Sequence, residues 1–106
     1  MSWKLFLDDV RDPVKVYGSD DFKVARTADQ AERLVAVWGA PSFIGFDHDL
    51  GEIKTGMSFA VWLVEKDMDE EICLPDDFSF NVHSANPVGA ENIRRLMNNY
   101  LAQRKK

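Results

Sequence analysis

Three short apolar runs in this chain break off at a polar or acidic residue. They are Trp3-Lys4-Leu5-Phe6-Leu7-Asp8, Ser42-Phe43-Ile44-Gly45-Phe46-Asp47 and Phe78-Ser79-Phe80-Asn81-Val82-His83. Runs of this length bounded by turn residues predict strands, and near-continuous apolar character predicts burial on both faces. A fourth run, Phe22-Lys23-Val24-Ala25-Arg26, predicts one more strand. Residues 78–83 alternate instead, with Phe80 and Val82 toward a core and Ser79, Asn81 and His83 away from it, the pattern of an edge strand.

Helical signals separate the strands. Thr27 reads as an N-cap, with Gln30 three residues on completing a capping box. Ala28, Ala31, Leu34, Val35 and Trp38 recur at helical spacing, then Gly39 and Pro41 stop the helix. Residues 57–68 are apolar nearly all round, which predicts a well-buried helix. Asn86 caps the last helix with Pro87 at its first position, and Ile93, Leu96, Met97, Tyr100 and Leu101 form its apolar stripe. Residues 9–21 hold Pro13, Gly18 and four aspartates and are expected to be loop. The alternation implies one α/β domain over residues 1–106, with right-handed crossovers and helices on both faces of a parallel sheet. The first strand is expected at its centre, in strand order 2-1-3-4.

Composition narrows the function classes. A chain that is 45% hydrophobic and 29% charged is globular rather than disordered. No apolar run approaches the ~20 residues of a membrane span. The start of the chain turns acidic too early for a signal peptide. Cys73 is the only cysteine, so no internal disulfide forms. A cytoplasmic setting is expected, in a bacterial or a phage-infected cell. A net charge of −5 argues against coating long nucleic acid, which requires Lys and Arg against many phosphates. A small phosphate ligand or an RNA end remains compatible. The basic residues Arg94, Arg95, Arg104, Lys105 and Lys106 gather in the last segment, where they suit a helix C-terminus.

In a parallel sheet, ligands bind at the C-terminal ends of the strands. That rule gathers Asp8 and Asp9, then Asp47, His48 and Asp49, then His83 and Ser84, at one edge. Crowded carboxylates stay ionised only beside a cation or after their pKa values rise. Asp8, Asp9 and Asp47 are therefore candidate ligands for Mg²⁺ or Mn²⁺. His48 and His83, the only two histidines, suit acid–base work beside Asp47. The turn from Ser84 through Asn86 to Gly89 opens a helix whose free N–H groups favour phosphate. Gly51 and Gly56 bracket a loop with room for a close approach, and Arg11 suits a bidentate phosphate clamp.

Leu7-Asp8-Asp9-Val10-Arg11, Asp47-His48-Asp49-Leu50-Gly51, Thr55-Gly56 and His83-Ser84-Ala85-Asn86-Pro87-Val88-Gly89 together resemble the cyclic-phosphate processing receiver-like family. The resemblance spans nearly the whole chain. It implies a receiver-type, flavodoxin-like three-layer sandwich with the fifth strand missing. It also implies work on cyclic phosphates, such as 2′,3′-cyclic ends of RNA or nucleotides. Under it, His48, His83 and Asp47 are expected to be catalytic. Arg11, Thr55, Gly56, Ser84, Asn86 and Gly89 are expected to bind substrate. Signalling receivers close their site with a lysine after a fifth strand; this chain has none there, and only Lys54 or Arg11 offers a substitute. The alternatives are a phospho-acceptor module using Asp47 and Ser84, and a non-catalytic binder or inhibitor.

Overall fold

A computed structural model describes residues 2–104. Four strands, β1 (Lys4–Leu7), β2 (Lys23–Ala25), β3 (Phe43–Phe46) and β4 (Ser79–Val82), alternate with four helices. The helices are α1 (Pro13–Tyr17), α2 (Ala28–Trp38), α3 (Gly56–Met68) and α4 (Pro87–Gln103). The sheet is parallel throughout, in the order β2-β1-β3-β4. This is the receiver-like α/β fold that the sequence predicts. Leu5, Phe6 and Leu7 are all fully buried, as a central strand covered on both faces requires.

Strand alternation sorts the molecule into two unequal halves. Leu5, Leu7, Ile44, Phe46 and Val82 join Ala31, Val35, Phe59, Leu63, Ile93 and Met97 of the three long helices in one core. The opposite face carries Phe6, Asp8, Gly45, Asp47 and His83. An aromatic group of Phe6, Tyr17, Phe22 and Phe43 packs there instead. Among the described residues no strand follows β4, and its outward-facing Ser79 and Asn81 are exposed.

Two expectations need correction. Residues 9–21 are not all loop: α1 spans Pro13–Tyr17. Pro13 and Gly18, read as breakers, are its start and stop. Proline sits at the first position, where its missing N–H has no bond to make, and Gly18 closes the helix in the left-handed region at φ 70°. The capping box at α2 is also displaced. Thr27 accepts from the Gln30 N–H, but the Gln30 side chain accepts from Arg26 N–H, one residue earlier than expected. Thr55 and Ser58 form a full box at α3. In the basic C-terminal segment, Arg104 folds back onto Asp67 and the Leu74 carbonyl; Lys105 and Lys106 lie outside the described residues.

Phe59 is the ring that joins the sheet to α3, against Phe46 and Trp62. Phe59→Ala is expected to cost about 3–5 kcal/mol, seen as a lowered urea midpoint at unchanged slope. Val88→Ala, at an exposed site, is expected to stay within about 0.5 kcal/mol.

Candidate active site

Asp8 directly follows β1 and its side chain is fully buried. Such a carboxylate must find its partners inside the protein. One oxygen, Oδ1, accepts from the N–H groups of Val10 at 2.9 Å and Arg11 at 2.8 Å. The other, Oδ2, lies 2.8 Å from Arg11 Nε and 3.1 Å from His83 Nε2. Burial pushes the Asp8 carboxyl up. The two N–H bonds, the Arg11 charge and His83 outweigh that, leaving it below its ordinary value. Arg26, at the end of β2, ties the loop down by donating to the carbonyls of Asp8 and Arg11 and to Asp12.

Asp47 directly follows β3 and is 4% exposed. Burial, then the charge of Asp8, raise its pKa; the Ser84 hydroxyl, Arg11 and His83 oppose the rise without cancelling it. Arg11 Nη2 stands 3.5 Å from Asp47 Oδ1, so one guanidinium bridges both buried carboxylates. Asp9 joins them from the loop, its carboxylate beside Gly51. Oxygens of Asp8, Asp9 and Asp47 lie within 4.8 Å of one another. This donor set suits a hard divalent cation. Asp9 and Asp47 have lone pairs to give. Asp8 already accepts four bonds, so it can ligate where a donor, Arg11 or His83, withdraws from Oδ2.

The two histidines have different surroundings. His83 follows β4 and stacks on Phe6 at 4.9 Å, with Nδ1 2.8 Å from the Tyr17 hydroxyl and Nε2 on Asp8. Both ring nitrogens are engaged. Burial holds His83 below its usual pKa against the pull of Asp8. His48 lies over α4, its Nδ1 2.7 Å from Asp49 Oδ1. The Asn86 amide donates to Asp49 at 3.3 Å, and the His48 bond, then Asn86, hold that carboxyl below its usual range. A carboxylate only accepts, so His48 Nδ1 carries a hydrogen, and in the neutral imidazole Nε2 keeps its lone pair. Among the described residues Nε2 has no hydrogen bond.

The expected substrate-binding positions divide. Arg11 and Ser84 adjoin Asp47. Thr55 spends its side chain capping α3 on Ser58 N–H. Gly56 and Gly89 serve close packing: a Cβ would lie 1.8 Å from the Asp47 carbonyl oxygen at the first and 2.4 Å from the His48 ring at the second. The turn into α4 is less open to an anion than predicted. Asn86 Oδ1 accepts from Gly89 N–H, Asn86 O from Ala90 N–H, and Ser84 Oγ from Asn86 N–H. Pro87 has no N–H, which leaves Val88 as the unbonded first-turn donor among the described residues. Lys54 pairs with Asp29 and Glu32 of α2, so Arg11 is the cation at Asp47.

The model of the cyclic-phosphate processing receiver domain matches residues 3–99. The chain belongs to this family. Among curated proteins no match is found. One similar solved structure is a fusion carrying the trimeric coiled coil of yeast Spc42. It shares 21% identity at a TM-score of 0.59, covering 90% of this chain. This chain spans 63% of that one, and the likeness is one of fold.

Three residues of this receiver domain's site escaped the sequence reading: Tyr17, Arg26 and Asn81. Arg26 directly follows β2 at the same sheet edge, and extending the strand-end rule to that strand would have found it. Tyr17 was hidden in the stretch read as loop. Asn81 is recognisable only once Tyr17 is placed, because its Nδ2 donates to that hydroxyl.

The two buried aspartates should respond oppositely to neutralisation in metal-free buffer. Asp47 has a raised folded pKa. The stability linked to its protonated form is fully present below the ordinary Asp value and is lost as pH rises through the folded one. Asp47→Asn therefore raises Tm at pH 7, by about 4–8 °C per kcal/mol gained, and the gain shrinks toward pH 4. Asp8 has a lowered folded pKa. Its contribution is present above the ordinary value and is lost as pH falls through the folded one. Asp8→Asn therefore lowers Tm at pH 7. Thermal melts of both variants across pH 4–8 check the pair of signs.

Proposed function

We propose that this chain is a phosphoesterase that opens a cyclic phosphate, such as a 2′,3′-cyclic end of RNA or of a nucleotide. One observation carries the reading. Three carboxylates and one arginine converge on a single point at the sheet edge, with a carboxylate-oriented histidine near the same edge. The three carboxylates would hold Mg²⁺ or Mn²⁺, which supplies charge neutralisation to the phosphoryl oxygens. Arg11, released from Asp8, clamps those oxygens through its two-pronged fork. His48, oriented by Asp49, accepts a proton from water at Nε2. The water oxygen attacks phosphorus and the ring P–O bond breaks. The leaving alkoxide takes the proton back from His48, giving a phosphate monoester. His83, with both nitrogens engaged, orients Asp8 rather than transferring protons.

A second reading is favoured by Asp47 beside the Ser84 hydroxyl. There Asp47 accepts a phosphoryl group, Ser84 senses it and Arg11 replaces the closing lysine. Mass spectrometry after acetyl phosphate treatment separates the two, since a stable phosphoryl adduct supports the second reading alone.

Wild-type protein with Mn²⁺ and a 2′,3′-cyclic nucleotide is expected to yield the monoester with turnover. His48→Ala is expected to lower kcat by about 10²–10⁴-fold, the span of general acid–base catalysis. Calorimetry is expected to show divalent binding that Asp9→Asn weakens. Neither turnover nor divalent binding at millimolar concentration would overturn the phosphoesterase reading.

A further inference from the structure

On the face away from the long helices, a polar chain runs under the acidic cluster. Tyr17, the last residue of α1, lays its ring over β3 at Gly45. A Cβ on Gly45 would stand 2.7 Å from both Cε2 and the hydroxyl of Tyr17. Glycine weakens a strand interior, and here the missing side chain is what admits the ring. Phe6 and Phe43 meet the ring edge-on at 5.9 and 5.8 Å, and Phe22 stacks on it. So held, the hydroxyl lies 3.0 Å from Asn81 Nδ2 and 2.8 Å from His83 Nδ1, while His83 Nε2 is 3.1 Å from Asp8 Oδ2.

With a neutral imidazole, each link has a single possible direction. An ionised Asp8 only accepts, so Nε2 carries the hydrogen and Nδ1 is left with a lone pair. That lone pair takes the Tyr17 O–H. The Asn81 NH₂ group only donates, so it fills a remaining lone pair on the Tyr17 oxygen and leaves the hydroxyl hydrogen for His83. Burial pushes the Tyr17 phenol up, which keeps that hydrogen in place at neutral pH.

We propose that Tyr17 and Asn81 are positioning residues that keep Nδ1 of His83 a hydrogen-bond acceptor, so that the ring presents its Nε2 hydrogen to Asp8 and holds Asp8 in place for ligand binding. The consequence at Asp8 rests on the phosphoesterase reading; the assignment of the nitrogens does not. Asp8 fixes the inner end of the chain and Asn81, which is exposed, fixes its outer end. Replacing that donor by an acceptor of the same shape puts the two ends in conflict. Asn81→Asp draws the Tyr17 hydrogen to itself, the Tyr17 oxygen then accepts from His83 Nδ1, and with Nε2 still donating to Asp8 the ring takes up a second proton.

The test is nitrogen NMR of the imidazole in the metal-free full chain at about pH 8, above the ordinary His range. Wild type is expected to show one fixed form, protonated at Nε2, with a hydrogen-bonded Nδ1. In Asn81→Asp a proton appears on Nδ1 while Nε2 keeps its own. In Tyr17→Phe the Nδ1 signal moves to its unbonded position. Divalent affinity in Tyr17→Phe is expected to fall by about 10–100-fold, the usual effect of removing an outer-shell partner. A wild-type His83 that is protonated at Nδ1 or averages between forms overturns the proposal. An Asn81→Asp protein with His83 unchanged overturns it too. Failure of wild type to bind a divalent cation counts instead against the phosphoesterase reading, and the NMR result stands independently of it.

Discussion

Asp8 sits at the end of the central strand with no access to water, and the surroundings of the site follow from keeping it ionised. Four donors reach its two oxygens from within the protein. Two are backbone N–H groups, which require the chain to curl back immediately after β1. That curl brings Arg11 beside the carboxylate and delivers the chain to Pro13, where α1 begins. The other donors are Arg11 itself and His83. An unpaired buried charge costs several kcal/mol, so the loop, the arginine and the histidine form a mutually dependent set. Arg26 clamps the set from β2, and all four strands thereby contribute to one carboxylate or its neighbours.

A second carboxylate beside the first changes the electrostatics. Asp47 is buried too, faces Asp8 and has no comparable supply of backbone donors, so it carries the cost of the pair as a raised pKa. Arg11 partly offsets that cost by bridging both. An arginine can do this and still be displaced, because its side chain is 37% exposed and reaches the pair from the solvent side. The resting protein thus holds an internal cation where a divalent ion or a phosphate ligand would need the same charge relationships. Acidity at this edge is a stored tension, and the net charge of the chain does not reveal it.

The fold was legible because its strands are short apolar runs with abrupt ends, and because Thr27, Gly39, Asn86 and Pro87 punctuate the helices without ambiguity. The strand-end rule also assembled Asp8, Asp9, Asp47 and Ser84 correctly at one place, although they are far apart in sequence. What stayed hidden was short or relational. A five-residue helix offers no periodicity, and its proline and glycine look like breakers until one sees that they are its two ends. Asn81 on an edge strand is unremarkable without Tyr17 above it. The N–H groups of the α4 turn looked free, yet the same Asn86 that marks the helix start consumes one of them. A capping residue is a reliable signal of helix position and, for the same reason, evidence against an open anion site there.

The separation of the two histidines has a geometric origin. Side chains alternate across a strand, so the residue after Asp47 leaves on the other side of the sheet. Asp47 stays on the face of Phe6 and Tyr17, while His48 crosses to α4 and rests on Gly89. His83 shares the parity of Gly45 and Asp47 and remains on the first face, against Phe6. Proximity to one sheet edge therefore does not put the two imidazoles in one environment. The first is oriented by an exposed carboxylate and keeps a free nitrogen. The second is enclosed by aromatic rings and has none. A chain that needed two interchangeable acid–base groups would gain little from burying one of them between a tyrosine and an aspartate. A chain that needed one proton carrier and one rigid carboxylate would be served by this division.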